Sequence, residues 1–190
     1  KNTFKETSVT ITLTNANVET LVFEENTQQL TNLKSAVQIS ANETVGGITG
    51  VDENGIYAYC KYQILANYTY GINANENVGG IIGNATNSKL ECCSVYSYRW
   101  DYNNLAVIGS NSAEADIKSS GSLAGLVGLA NSSASTISTG EYNNILAIKN
   151  SSVNAYVSAN IAHALVGKRN ARPNAEIDCY FVGKIVTGEG

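Results

Sequence analysis

Val45-Gly46-Gly47-Ile48-Thr49-Gly50 returns 33 residues later as Val78-Gly79-Gly80-Ile81-Ile82-Gly83. The match extends back to the Ile that opens each copy, so that residues 39–50 and 72–83 differ at only three positions. A looser third copy runs from residue 117 to residue 128, and a fourth lies within 157–167. A repeat of this period indicates a stacked architecture, in which each unit buries its apolar face against the next one.

Each unit reads as three short strands separated by turns: a segment ending in Ala-Asn, the Val-Gly-Gly type, and an alternating segment. Strands this short need partners from the next unit, about 4.8 Å away. Repeated glycines suit a corner with positive φ or a close approach of the opposite wall. We therefore expect an all-β, parallel β-helix of about four irregular three-stranded coils, right-handed as parallel crossovers usually are. In the first unit the inward positions of the third strand are predicted to be Ile56, Ala58, Cys60, Tyr62 and Ile64.

The repeats divide the chain into a non-repeating segment, 1–38, and a β-helix, 39–190. Within 1–38, Val9, Ile11 and Leu13 alternate with threonines and predict a strand with one apolar face, whereas 27–34 is the one helix-like stretch. Because an open β-helix end exposes unpaired amides and core, 1–38 is predicted either to cap its own first coil or to dock on another subunit. The predicted units are 39–71, 72–116, 117–156 and 157–190.

Composition excludes several classes of protein. The 190 residues carry a net charge of −4, and only 15% are charged while 43% are hydrophobic, so neither a disordered chain nor a nucleic-acid binder is expected. No apolar run approaches the roughly 18 residues of a membrane span, which predicts no membrane insertion. Because residue 1 is not Met and no signal peptide follows, we expect a mature or excised piece of a longer protein.

Five Asn-x-Ser/Thr sequons and four cysteines favour an extracellular or cell-surface location. Such sequons are glycosylation acceptors on surface loops when a chain is secreted. The candidate glycosylation sites are Asn42, Asn67, Asn84, Asn131 and Asn150.

The Gly-Gly strands are followed, after a polar turn, by Leu90-Glu91-Cys92-Cys93-Ser94-Val95. Together these segments resemble GLUG-motif repeats. That family's pattern runs Gly-Gly-Leu-Val-Gly, a polar turn, then Ile-x-x-Cys-x-x-x-x-Val. The resemblance covers about residues 39–185, fits well at 123–128, and departs where Ala162-His163-Ala164 replaces Gly-Gly. GLUG-like repeats are found in large secreted or surface proteins, often with adhesive or structural roles. The resemblance therefore implies a β-helical stalk without catalysis.

The residue types and their spacing give little support for catalysis or metal binding. The one imidazole, His163, stands where other units carry Gly and is read as a wall residue rather than a base. One His with adjacent Cys92 and Cys93 lacks zinc-ligand spacing, so no metal or cofactor is expected. The remaining enzymatic alternative is a polysaccharide hydrolase or lyase with paired acids on the wall. Its candidate acids are Glu91, Glu114, Asp116, Glu176 and Asp178.

Tyr96, Tyr98, Trp100 and Tyr102 alternate with smaller or charged residues, so on one strand all four rings would share a face. Such a strip either packs under an inserted loop or stacks on sugar rings or a partner subunit. Both interpretations remain open at this point.

The cysteines give two conflicting registers. Counted from the repeat glycines, Cys60 and Cys93 lie on adjacent rungs within disulfide range, with Cys179 two rungs further along. Counted by alternation, Cys60 and Cys92 point inward and Cys93 outward. Cys60 and Cys93 are therefore candidates either for a disulfide or for buried free thiols.

The leading functional hypothesis is a non-catalytic extracellular structural or adhesive β-helix, one form of which is a self-assembling filament subunit. In the filament the strand of Val9, Ile11 and Leu13 would cover the C-terminal coil of another copy, where Phe181 and Ile185 continue the apolar alternation. A carbohydrate-binding module using the aromatic strip is the alternative, and a polysaccharide-degrading enzyme is third. The expected partner is another copy of the chain or a cell-surface glycan.

Overall fold

The described part of the chain consists of strands, turns and bends, with no helix. A computed structural model describes residues 9–13, 17–18, 21–24, 27–31, 33–101, 106–107, 115–132, 145–170 and 174–188. Its sheets are stacked and mainly parallel, so the expectation of an all-β parallel stack is confirmed.

The strands fall into an N-terminal group and successive passes around the stack. The N-terminal group contains β1 (Val9–Leu13), β2 (Asn17–Val18), β3 (Leu21–Glu24), β4 (Thr27–Thr31) and β5 (Leu33–Ser35). The next pass contains β6 (Val37–Ala41), β7 (Val45–Gly46), β8 (Thr49–Glu53), β9 (Ile56–Ala58) and β10 (Lys61–Ile64). It is followed by β11 (Ile72–Ala74), β12 (Val78–Gly79), β13 (Ile82–Thr86), β14 (Lys89–Glu91), β15 (Ser94–Ser97), β16 (Trp100–Asp101) and β17 (Ala106–Val107). The last passes contain β18 (Ile117–Ser119), β19 (Ser122–Ala124), β20 (Val127–Asn131), β21 (Leu146–Lys149), β22 (Ser152–Ala159), β23 (Ile161–His163), β24 (Val166–Arg169), β25 (Asn174–Ile177) and β26 (Tyr180–Thr187).

Each pass visits four sheets. The largest, here called the long sheet, runs β1-β6-β11-β18-β22-β15-β10-β5-β2, with β26 also paired to β22. The glycine wall contains β7, β12, β19 and β23 and the glycine-bearing turn that follows each of the first three. A third sheet contains β8, β13, β20 and β24, and the fourth contains β3, β4, β9, β14, β21 and β25.

Each coil contains more strands than the three that the sequence predicts per unit. Between residues 37 and 64 the chain forms five strands, because the segment predicted as one strand bends at Tyr59 into β9 and β10. Tyr59 has a φ of 55°, in the left-handed region, and this corner shifts the alternation by one residue. Tyr57 is therefore buried, and Ile56 and Ala58, predicted to point inward, are only half-buried.

Gly47, Gly80 and Gly125 lie where the glycine wall comes closest to the long sheet. They are aligned on successive rungs: β7 pairs with β12, and the Gly80 N–H donates to the Gly125 carbonyl over 3.1 Å. A β-carbon on Gly80 would collide with that oxygen and with the Val95 side chain on the long sheet. The predicted close approach of the opposite wall is confirmed, and Ala164, on the last rung of the described chain, accepts from the Gly125 N–H.

The inward column facing these glycines forms the centre of the core. It consists of Tyr62, Val95, Val153 and Phe181, which are paired in register along the long sheet. The first three are at most 1% exposed, while Phe181 is partly buried at the end of the stack. The buried Tyr62 hydroxyl donates to the Val37 carbonyl over 2.8 Å, which satisfies its hydrogen-bonding need.

The strands of the long sheet are interrupted at one place, between β15 and β18, whereas the glycine wall has no such break among its described strands. β22 runs unbroken for eight residues and pairs through its first half with β15 and through its second half with β18. One pass earlier the chain leaves the sheet after Ser97 and returns at Ile117. In sequence, residues 133–144 fall instead between β20 and β21, which belong to the third and fourth sheets.

The N-terminal segment covers strand edges of its own chain. β1 pairs antiparallel with β6, with Ile11 opposite Ile39, and β2 pairs antiparallel with β5. The helix-like stretch 27–34 forms strands in its described residues, where β4 and β5 stack parallel on β9 and β10. Parallel stacking therefore begins before residue 39, although the sequence there does not repeat.

At the opposite end β23, β24, β25 and β26 are the last strands of their sheets, and none has a second-edge partner among the described residues. β26 pairs with β22 along all eight residues, so its other edge is uncovered within that part of the chain. Large apolar side chains are exposed on this end: Ile161, Tyr180, Val182 and Ile185.

Candidate functional site

The predicted aromatic strip is broken after Tyr98. Tyr96 points outward from β15, and Tyr98 still donates its N–H to the Ile64 carbonyl over 2.8 Å before the chain turns away. Tyr96 is 36% exposed and Tyr98 45%, whereas Trp100 is only 8% exposed. Tyr102 lies outside the described residues. The structure therefore separates an exposed tyrosine pair from a packed tryptophan.

The tyrosine pair lines a groove of about 300 Å³ on the outer face of the long sheet. The rings meet edge to face, with centroids 4.8 Å apart and planes inclined at 61°. Gln63, on the neighbouring rung, donates its side-chain N–H to the Tyr98 hydroxyl over 3.1 Å. Lys61 and Ser94 complete the lining, so the groove combines aromatic, amide, hydroxyl and ammonium groups.

Sequence reasoning missed the polar half of this groove. Lys61 and Gln63 come from β10, one pass before the tyrosines, and pair in register with Ser94 and Tyr96. The 33-residue spacing that relates Lys61 to Ser94 and Gln63 to Tyr96 was available in the sequence. A stacked fold places such residues side by side on one face, so the repeat itself was the overlooked signal.

A buried ion pair anchors the chain where it leaves the sheet beyond the tyrosines. The Arg99 guanidinium lies 2.9 Å from an Asp116 carboxylate oxygen, which also accepts from the Ser97 hydroxyl over 2.9 Å. The second carboxylate oxygen accepts the N–H of Tyr156 over 2.8 Å. Arg99 and Asp116 are at most 1% exposed; burial raises the pKa of Asp116, and its hydrogen bonds and Arg99 oppose this shift.

Trp100 packs against Tyr156 of β22 rather than facing solvent. The two rings are T-shaped, with centroids 5.2 Å apart. The ammonium group of Lys184, on the adjacent rung, lies 4.9 Å from the centroid of the Tyr156 ring. Trp100 is the single tryptophan of the chain, so its fluorescence reports on this part of the long sheet.

The cysteines belong to a column of corner residues. The register of β10 and β15 places Cys60 beside Cys93 on adjacent rungs, and Ser151 and Cys179 follow on the next two. Each side chain donates to the carbonyl two residues earlier, as from Ser151 to Lys149 over 2.8 Å. The preceding residues all have positive φ: Tyr59, Cys92, Asn150 and Asp178.

This column resolves the conflict between the two cysteine registers. Cys60 and Cys93 are buried and Cys92 is half-buried at the corner, so the count from the glycines is correct and the alternation count is wrong. All four cysteines are free thiols in the structure. A hydrogen bond with Cys60 and burial raise the pKa of Cys93, and burial raises the pKa of Cys179.

The candidate acids of the hydrolase hypothesis lie in different environments. Asp116 is buried against Arg99, Glu91 is exposed on β14, and Asp178 lies at a corner with a φ of 51°. Glu176 pairs with Arg169, and Glu114 lies outside the described residues. His163 is exposed on β23. No group of three or more His, Cys, Asp or Glu that could hold a metal occurs in the described part of the chain.

The five sequons differ in exposure. Asn42, Asn67 and Asn150 are exposed, whereas Asn84 and Asn131 are half-buried. The Asn131 amide donates to the Asn84 side-chain oxygen over 2.8 Å, and Asn170 donates to Asn131 over 3.2 Å. The first three are therefore the more accessible acceptors.

The predicted assembly residues lie at opposite ends of the stack. Val9, Ile11 and Leu13 are in β1, paired with β6 of the same chain. Phe181 packs against the core, and Ile185 is 38% exposed. Within the described residues, no helix is long and apolar enough to cross a membrane.

Comparison with known proteins adds no relative: the chain matches no protein-family model, no curated protein and no solved structure.

Proposed function

We propose that this chain is a non-catalytic, extracellular adhesive module that binds a glycan on the outer face of its long sheet. It would belong to a GLUG-like protein and form a right-handed β-helix of about four coils. The observation that carries the proposal is the groove in which Tyr96 and Tyr98 lie beside Lys61, Gln63 and Ser94.

The chemistry of this groove suits a sugar ring. Tyrosine offers a rigid apolar face for the C–H groups of a pyranose and a hydroxyl for its polar edge. Amide and hydroxyl side chains beside the rings supply donors and acceptors that fix orientation. The bond from Gln63 to Tyr98 holds one ring in place before binding, which lowers the entropy lost in the complex.

A non-catalytic role is supported by the separation of the acids from this groove. No carboxylate lines it among the described residues. Of the candidate acids, Glu91 is the nearest to the groove in sequence but lies on β14 of the fourth sheet, and Asp116 is buried in the ion pair with Arg99. A hydrolase needs two carboxyl groups flanking one bond, about 5–9.5 Å apart.

The test is binding to a panel of immobilised polysaccharides. We expect Tyr96→Ala and Tyr98→Ala each to weaken binding by about tenfold or more, equivalent to about 1.4 kcal/mol. Tyr59 is 55% exposed at a corner and does not line the groove, so Tyr59→Ala is the matched control and should bind normally. Absence of binding to every polysaccharide, or equal loss with Tyr59→Ala, would refute the proposal.

An extracellular location is tested on native material by intact mass. We expect glycans at Asn42, Asn67 and Asn150, whose side chains are exposed. Asn84 and Asn131 should stay unmodified because their amides bond to each other. A mass equal to the bare 20.1 kDa chain would remove this support.

Self-assembly is a second candidate function, favoured by the exposed apolar residues on the C-terminal strands. Because β1 already occupies the edge of β6, we place the pairing with a second copy at β26, the longest of the end strands whose second edge is uncovered in the described part of the chain. Ile185 and Val182 would be covered in such a pair.

Sedimentation over a range of concentrations tests this second candidate. We expect full-length chain to associate and the double variant Val182→Lys, Ile185→Lys to remain monomeric. A variant lacking residues 1–14 separates two geometries, because head-to-tail filaments need β1 and pairing through β26 does not. A chain that stays monomeric at high concentration would refute assembly.

A further inference from the structure

Tyr98 lies one residue beyond the end of β15, where the chain leaves the long sheet. Its N–H still donates to the Ile64 carbonyl over 2.8 Å, but the regular pairing that holds Tyr96 has ended. Both rings line the same groove, here called the tyrosine groove. A ring at the end of a strand needs a further constraint if it is to keep one orientation before a ligand binds.

The turn that follows Tyr98 is closed by the side chain of Ser97. The Ser97 oxygen accepts the N–H of Arg99, two residues ahead, over 3.2 Å. In such a turn a serine hydroxyl takes the place of a backbone carbonyl. The same hydroxyl donates its hydrogen to Asp116 over 2.9 Å, which leaves the oxygen lone pairs to accept the Arg99 N–H.

Asp116 connects both neighbours of Tyr98 to one atom. The carboxylate oxygen that accepts from Ser97 also accepts from the Arg99 guanidinium over 2.9 Å. The other oxygen accepts the Tyr156 N–H of β22 over 2.8 Å, which ties the carboxylate to the next strand of the long sheet. Ser97, Arg99 and Asp116 are at most 1% exposed, and hydrogen bonds to a charged group are stronger in such surroundings than in water.

We propose that Asp116 is a positioning residue for the tyrosine groove, because through Ser97 and Arg99 it holds the Tyr98 ring in the orientation that the glycan needs. This inference rests on the proposed function and identifies what controls the affinity of that site. Asp116, Ser97 and Arg99 do not line the groove, so none of them has to touch the ligand. The bond from Gln63 to the Tyr98 hydroxyl then fixes the far end of the same ring.

The expected gain comes from preorganisation of the ring. When the binding-competent form of a site is populated for only a fraction of the time, its apparent affinity falls by that fraction. A loosened turn that leaves Tyr98 correctly placed for about one-third to one-fifth of the time would weaken binding by about threefold to fivefold. This loss is smaller than the loss expected from removing the ring altogether.

Ser97→Ala tests the connection with a small change, because it removes one hydroxyl and keeps Asp116 and Arg99. We expect it to weaken polysaccharide binding by about threefold to fivefold. Ser97→Thr keeps a hydroxyl and should restore most of the affinity. Ser88→Ala is the matched control and should bind like the parent: Ser88 is equally buried and donates to the buried Asp52 over 2.6 Å, but it lies between β13 and β14.

A double-mutant cycle separates positioning of the ring from general support of the fold. If Ser97 acts through Tyr98, the double variant Ser97→Ala, Tyr98→Ala should bind as weakly as Tyr98→Ala alone. Additive losses would overturn the inference, because Ser97 would then act on binding without the ring.

The order of the ring can also be measured without a ligand. In chain labelled with fluorotyrosine, the fluorine resonance of Tyr98 is the one that Tyr98→Phe removes. We expect this resonance to move toward its position in the unfolded chain in both Ser97→Ala and Asp116→Asn, and to stay in place in Ser88→Ala. The other tyrosine resonances report that each variant is folded. A Tyr98 resonance that stays in place in folded Ser97→Ala would overturn the inference.

The outcomes separate this inference from the proposed function. Parental affinity of Ser97→Ala for a polysaccharide whose binding needs Tyr98 would overturn the role of Asp116 and leave glycan binding intact. Failure of every polysaccharide in the panel to bind would refute the proposed function, and the fluorine resonance would still decide whether Asp116 holds Tyr98 in place.

Discussion

The glycine wall and the long sheet face each other across the core, and they tolerate change very differently. In the glycine wall, Gly47, Gly80 and Gly125 follow one another rung after rung, and a β-carbon on any of them would strike backbone and the opposite side chain. In the long sheet, the chain leaves after Ser97 and returns at Ile117 without disturbing the pairing on either side. The repeat therefore constrains the inside of the stack, whereas the long sheet accommodates a break in one of its rungs.

The difference has a physical cause. The glycine wall packs tightly against the next rung and against Tyr62, Val95 and Val153, so there is no space for an added side-chain atom. The break in the long sheet requires only that the backbone groups of β22 beside it, which pair with neither β15 nor β18, find other partners. Those groups are satisfied by Asp116, whose carboxylate accepts the Tyr156 N–H.

Asp116→Asn should produce the largest effect. It keeps the shape of the side chain but leaves the buried Arg99 without its carboxylate, and losing one partner of a buried ion pair costs about 3–5 kcal/mol. Urea unfolding measures the change, with Asp178→Asn at an exposed corner as the control. An unchanged midpoint would mean that the long sheet tolerates its insertion without this anchor.

Gly80→Val tests the rigidity of the opposite wall. The added side chain meets the Gly125 carbonyl and Val95, and overpacking of this kind costs roughly 1–3 kcal/mol. Ala164→Val, in the equivalent position of the last rung, should cost less because it is only half-buried. Equal melting temperatures for Gly80→Val and the parent would contradict the close approach of the two walls.

Thiol labelling distinguishes inside from outside along the corner column. In the native chain we expect an alkylating reagent to modify Cys92 first, since it is half-exposed, and Cys179 more slowly, since burial raises its pKa. Cys60 and Cys93 should react only after unfolding. Peptide mass mapping without reductant reads this out, and early labelling of Cys93 would contradict the inward register.

The smallest effect on stability is expected for the tyrosine groove. The double variant Tyr96→Ala, Tyr98→Ala removes two exposed rings and should change the free energy of unfolding by no more than about 0.5 kcal/mol. A destabilisation above about 1 kcal/mol would show that these rings support the fold, and would weaken their assignment to ligand binding.

Much of the interior of the stack could be predicted from the repeat in the sequence. The 33-residue spacing predicts that Gly47 aligns with Gly80 and that Cys60 lies beside Cys93, and the looser third copy of the repeat places Gly125 in the same column as the two glycines. These positions are constrained by contact with their own copies, so they recur in the sequence. Parallel stacking follows because each strand is too short to be stable without that copy.

The corners at Tyr59 and Cys92 could not be predicted, because neither residue type is a signal for positive φ. Glycine is the usual residue at positive φ, yet Tyr59 and Cys92 adopt it, held by pairing on either side of the corner. Each such corner reverses the alternation, which is why Ile56 and Cys92 were assigned to the wrong face. The aromatic strip failed for a related reason: regular alternation was extended past Tyr98, where the chain turns to bury Arg99.

The most direct test of the central claim, that the glycine wall is structural and the outer face of the long sheet binds ligand, is a titration followed by amide chemical shifts. The isotope-labelled full chain is titrated with oligosaccharides of a polysaccharide that it binds in the panel. We predict shift changes at Lys61, Gln63, Ser94 and Tyr96, which line the tyrosine groove, with the amides of Val78 to Gly83 unaffected. Changes concentrated on the glycine wall or on β26, with the long-sheet residues silent, would contradict the account.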